Sequence, residues 1–222
     1  MARDGLHRHA FWIYGVIVGL AIREALVDVL PHLFATPFGP VWAHWQEALR
    51  LLVFLLLMIR FYLGSAAYFE EAHCQSGCDA KYPNKNYALD FHFGLAHFIV
   101  FFMWALTIDP HTNSPFLFPA FLGIVLFYDL TWYLFCREYD TRHLLKLWTA
   151  LNLFTLLLSS VFFLSIYLVT RNEALAEAVA YIPVLAATVI DVAELMTDRP
   201  IVKRWLADLI RTPGTPPMPE SN

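Results

Sequence analysis

Six apolar stretches, each long enough to cross a bilayer, constrain this chain more than any other feature. A spanning helix needs roughly 20 mostly apolar residues. The stretches lie near residues 10–30, 44–69, 89–108, 116–136, 144–169 and 174–196. Lipid offers no partner to a backbone N–H or C=O, and these segments lack the alternation of barrel strands, so helix is the secondary structure they predict. Pro31, Pro37, Pro40, Pro83, Pro110 and Pro115 fall in the gaps, where a helix need not continue. The expected fold is an all-α, polytopic integral membrane protein, a bundle of about six transmembrane helices over residues 1–211. The tail 212–222, with Pro213, Pro216, Pro217 and Pro219, reads as a disordered cytoplasmic end.

Composition agrees. The chain has 222 residues, of which 59% are hydrophobic and 15% charged, against roughly 25% charged in a soluble domain. The partner implied is the lipid bilayer. A net charge of -4 gives no reason to expect nucleic acid. Arg3 and Arg8 resemble the start of a signal peptide. The apolar stretch behind them is too long, carries Arg23, Glu24 and Asp28, and shows no cleavage site, so a retained helix is expected.

Basic residues predict orientation, because Lys and Arg accumulate on the cytoplasmic side. With six helices, the side holding both termini carries Arg3, Arg8, Lys81, Lys85, Arg137, Arg142, Lys146, Arg199, Lys203, Arg204 and Arg211, 11 in all, and the other side carries Arg171 alone. Both termini are therefore expected in the cytoplasm. Residues 70–88 read as the longest loop.

Charges at membrane depth cost at least ~2.5–3.5 kcal/mol each on insertion scales, so they face the bundle interior and find partners. They sort into two levels. The outer level is Arg23, Glu24 and Asp28 on the first helix with Glu47 and Arg50 on the second. Arg50 is expected to pair with Glu24 or Asp28, and Arg23 with a carboxylate nearby. The cluster reads either as an ion-pair clasp between two helices or as an entrance site.

The inner level draws one polar residue from each of five helices. At 1.5 Å per residue, Arg60, His97, Asp129, Asn152 and Asp191 come out at one depth, roughly 9–12 Å from the cytoplasmic ends. Asp90 and Glu194 lie shallower. Helical spacing extends these into faces: Asp90, Gly94 and His97; Asp129, Trp132, Tyr133 and Cys136; Thr149, Asn152, Thr155 and Ser159; Thr188, Asp191 and Glu194. The layer reads as an inner polar chamber open to the cytoplasm, or else as separate interhelical hydrogen bonds. Arg60 with Asp129 or Asp191 is the expected pair, and His97 the group that titrates near neutral pH.

Several chemistries are disfavoured. A retinal Schiff base needs a lysine inside the bundle, and Lys81, Lys85, Lys146 and Lys203 all sit at its edge or beyond. His92 and His97 are five apart on one helix and do not face one haem plane. No potassium-channel filter, arginine ladder, nucleophile elbow or zincin motif occurs. His73, Cys74 and Cys78 form H-C-x-x-x-C, which falls short of a zinc-finger spacing and reads as ordinary reduced thiols. These three remain the weak candidates for a metal, and the sequence leaves the cofactor unknown. Gly15 and Gly19 form G-x-x-x-G, which permits close helix approach within the chain or between subunits.

The resulting expectation is a small ion- or proton-linked channel or transporter. Six short-looped helices leave little room for a pore and its walls, which favours a homo-oligomer or a membrane-complex partner. The alternatives are a membrane-embedded enzyme acting on a lipid or acyl substrate, and a non-catalytic subunit of a larger membrane complex. A channel predicts a polar path joining the two levels. An enzyme predicts a closed-ended cavity, and a subunit predicts polar residues facing a partner.

Overall fold

The computed structural model describes residues 2–34, 44–73, 85–108, 116–137 and 144–198, with side chains at 12–31, 44–69, 88–108, 116–137 and 145–193. The described residues form six helices and no strand: α1 (Ala2–Phe34), α2 (Trp45–His73), α3 (Lys85–Ala105), α4 (Leu117–Cys136), α5 (Leu144–Thr170) and α6 (Glu173–Asp198). The apolar stretches thus locate all six. Helix ends differ where local chemistry outruns hydropathy. α1 runs through Pro31 to Phe34, and α2 and α3 extend to His73 and from Lys85, into the segment expected to be loop. Polar helix formers extend a membrane helix past its apolar core without cost, because backbone bonding is internal to the helix.

Five helices, α2 to α6, are long and apolar enough to cross a membrane. Among the described residues α1 is not, because Arg23, Glu24 and Asp28 fall within two turns of one another. The six helices form the all-α membrane bundle that the apolar stretches predict.

The helices α2, α3, α4, α5 and α6 close a ring in which each packs on two neighbours, and α1 lies against α2 and α3. Tyr14 fixes that docking. It is fully buried, donates to the Phe91 carbonyl at 2.8 Å, and stacks on the Phe91 ring at 5.5 Å. The ring interior is aromatic: Phe54, Phe61, Phe98, Phe101, Trp104, Phe118 and Trp132 are all buried. The outward faces carry Phe127, Phe135, Phe154, Leu157, Leu164 and Ile190, which are exposed and apolar as a lipid contact requires.

α5 and α6 form the tightest pairing in the sequence. Only Arg171 and Asn172 separate them. Arg171 adopts a left-handed φ of 55° to reverse the chain. Asn172 caps α6, its Oδ1 accepting the Leu175 N–H at 3.0 Å. Counting outward from this turn places Asn152 opposite Asp191, Thr155 opposite Thr188, and Ser159 opposite Val184.

Candidate functional site

The inner level is one connected network. Arg60 on α2 is completely buried. Its Nε donates to Asp191 Oδ2 of α6 at 2.5 Å, and its Nη2 donates to Asn152 Oδ1 of α5 at 2.6 Å. Asn152 Nδ2 in turn donates to Asp129 Oδ2 of α4. Asp129 Oδ1 lies 3.5 Å from His97 Nδ1 of α3. Five residues from five helices therefore stand in the order Asp191, Arg60, Asn152, Asp129, His97. The partner of Arg60 is Asp191, one of the two that the sequence proposes. Trp148 Nε1 adds a second donor to Asp191 Oδ2 at 3.0 Å, and Thr149 ties to the Asp129 carbonyl at 3.1 Å.

The surroundings explain how such charges are held. His97 is boxed by Phe61, Tyr128 and Phe101, with ring centroids 4.8, 4.8 and 5.3 Å away. Arg60 stands over the Phe61 ring at 5.5 Å. The apolar walls exclude water, so the network's own hydrogen bonds must satisfy it. They do so incompletely. Arg60 Nη1 and Asp129 Oδ1 are buried with no hydrogen-bond partner among the described residues.

Asp90 belongs to a separate cluster. It is fully buried and accepts from Trp132 Nε1 at 2.8 Å and Tyr68 Oη at 3.1 Å. Glu194 lies in α6, but its side chain is outside the described ones, and Cys74 and Cys78 also lie outside the described residues, as does the His73 side chain. Among the described residues no group of three metal-ligating side chains gathers.

The outer level differs from expectation. Sequence reading gives Arg50 the partners Glu24 or Asp28; the structure gives it Glu177 of α6. Arg50 Nε donates to Glu177 Oε1 at 2.5 Å and Nη2 to Oε2 at 2.8 Å, a bidentate pair that is buried on both sides. Tyr181 also donates to Glu177. The Arg50 guanidinium lies over the Phe118 ring at 5.3 Å. Arg23 pairs at 2.9 Å with its neighbour Glu24, on an exposed face of α1. Glu47 is buried with His44 Nδ1 3.2 Å away, and Asp28 is partly buried on α1.

Glu177, Tyr181 and Trp148 went unrecognised in the sequence. Glu177 carried a readable signal: it is a carboxylate inside an apolar stretch, and residues 177, 181, 184, 188 and 191 share one face of a helix. Trp148 carried none, because a tryptophan near a helix end reads as an interfacial anchor.

Cavities flank these levels among the described residues. A shallow one of about 690 Å³ runs along α1 from Gly19 to Pro31. A more enclosed one of about 210 Å³ sits on the outer pair, lined by Gln46, Arg50, Phe116, Phe163, Glu173 and Glu177 among others. Neither is lined by a member of the inner network. Among the described residues the inner level is a connected network of hydrogen bonds between buried side chains.

Compared with protein-family models, curated proteins and solved structures, the chain matches none.

Proposed function

We propose that this membrane protein is a proton-linked carrier whose proton site is the buried pair Asp129 and His97. One observation carries the reading. The inner network holds one arginine and two carboxylates, and Arg60 is committed to Asp191 at 2.5 Å. Asp129 is left with a neutral amide and an imidazole 3.5 Å away. An uncompensated charge in a dry interior is costly. A proton held by the Asp129–His97 pair neutralises the site, and its departure charges it. A pair with that property, bonded through Asn152 and Arg60 to the three other helices of the ring, couples protonation to helix packing.

Closed packing supports a carrier over an open channel. Arg50 and Arg60 are ten residues apart on α2, roughly 15 Å along the axis. Phe54, Leu57, Phe101, Trp104 and Phe118 occupy the interior between them. Both arginines are buried in this state, so transport requires their ion pairs to open in turn. The 11-to-1 distribution of basic residues supports a cytoplasmic location for both termini, which requires α1 to cross as a sixth helix with Arg23 and Glu24 paired to one another. Homo-oligomerisation is part of the same reading: in α1, a Cβ at Gly15 or Gly19 meets nothing within 4 Å among the described residues, which supports a second subunit against this G-x-x-x-G face.

The test is proton movement into liposomes carrying the purified chain, followed with an entrapped pH dye under a potassium diffusion potential. The carrier reading expects acidification that protein-free liposomes do not show. No flux of protons or of any common cation would leave the enzyme and subunit readings ahead of it.

A further inference from the structure

Between the two ion pairs, three helices of the ring are apolar and two are not. From Arg50 to Arg60, α2 turns Phe54, Leu57 and Met58 inward; α3 passes from His97 through Phe101 and Trp104; α4 passes from Asp129 through Val125, Leu122 and Phe118. The α5 face runs instead from Asn152 through Thr155 to Ser159, with Phe163 one turn further on. The α6 face runs from Asp191 through Thr188 and Val184 to Tyr181 and Glu177. Thr155, Ser159, Thr188, Tyr181 and Glu177 are all buried. The two faces are opposed by the two-residue turn, and Arg60 bridges them at the Asn152–Asp191 level.

Hydroxyls on a membrane helix commonly return to their own backbone, as Thr188 does to the Val184 carbonyl at 2.8 Å. Ser159 does not. It is 6% exposed, sits midway between the levels, and its Oγ has no hydrogen-bond partner among the described residues. A buried hydroxyl without a protein partner is ordinarily satisfied by water, which needs two to four polar neighbours. The cavity of about 210 Å³ at the outer pair is lined by Phe163 and Glu177, the residues that close the two faces at that end.

We propose that the α5–α6 interface is a hydrated polar seam, entered from the cavity beside Arg50 and Glu177, that brings water to Ser159 and onward to the inner network. Its use as the proton's route rests on the carrier reading; its existence does not. Thr155 and Thr188 face each other below Ser159 and supply the next polar step toward Asn152 and Asp191. Tyr181 lines the seam between Ser159 and that entrance, its hydroxyl donating to Glu177.

Silver ion tests this directly, being close to water in size and reacting with thiolates, which form in water and not in hydrocarbon. The full chain is reconstituted with Ser159→Cys, Thr155→Cys or Leu157→Cys, the last on an exposed lipid-facing position. After brief exposure to silver, thiols still free are counted by alkylation in denaturant and intact mass, against the parent chain. The seam predicts that the added thiol at 159 and at 155 is protected at least about tenfold faster than at 157. Equal rates at all three, or protection at 157 alone, would overturn it. Proton flux measured on the parent chain is scored separately: protection at 159 in a chain that carries no protons establishes the seam and removes its proposed use.

Discussion

Arg60 donates to Asp191 at 2.5 Å and to Asn152 at 2.6 Å, so one guanidinium on α2 binds both members of the α5–α6 hairpin. Removing one partner of a buried pair leaves the other charged and uncompensated, which costs about 3–5 kcal/mol. Arg60→Met is therefore expected to destabilise the protein by about that amount in SDS-titrated unfolding from mixed micelles. Adding Asp191→Leu should recover most of the loss, since an apolar pair of similar volume replaces the ion pair. A double variant as unstable as the single one would mean that Arg60 acts through something other than Asp191.

Gly64 is fitted against the Trp148 ring. A Cβ there would come within 2.0 Å of Trp148 Cη2, closer than any real contact, and Trp148 is the second donor to Asp191. Gly64→Ala must push the indole aside. Overpacking of this kind costs about 1–3 kcal/mol, and the Trp148 fluorescence should shift with it. Gly15→Ala meets nothing within 4 Å among the described residues and should leave the stability of the isolated subunit within about 0.5 kcal/mol of the parent.

Tyr14 ties α1 to α3 through a hydroxyl bond to the Phe91 carbonyl. Tyr14→Phe keeps the stacking and loses the bond, an expected cost of about 0.6–2 kcal/mol by the usual worth of interhelical hydrogen bonds. Limited proteolysis should then cut α1 faster than the rest of the chain. Unchanged proteolysis would show that ring packing alone holds α1.

The helices and the inner network were legible because both follow from periodicity and depth. An apolar run of fixed length sets each span, and the rise per residue alone brings Arg60, His97, Asp129, Asn152 and Asp191 to one level. Helix neighbours were not legible. Sequence adjacency suggested that α1 would satisfy Arg50 on α2, but the ring closes α2 against α6, and Glu177 fills that role. Asp90 shares a helical face with His97 but lies two turns nearer the start of α3, where Tyr68 and Trp132 meet it.

Asp129 and Asp90 are equally buried, and only Asp129 belongs to the network that links five helices. The most direct measurement of the central claim is the rate of potential-driven proton uptake by liposomes holding the parent chain, Asp129→Asn or Asp90→Asn. The account predicts that Asp129→Asn loses at least about 90% of the flux, because the amide cannot take up and release the proton, while Asp90→Asn keeps most of it. Equal flux in Asp129→Asn and the parent would contradict it.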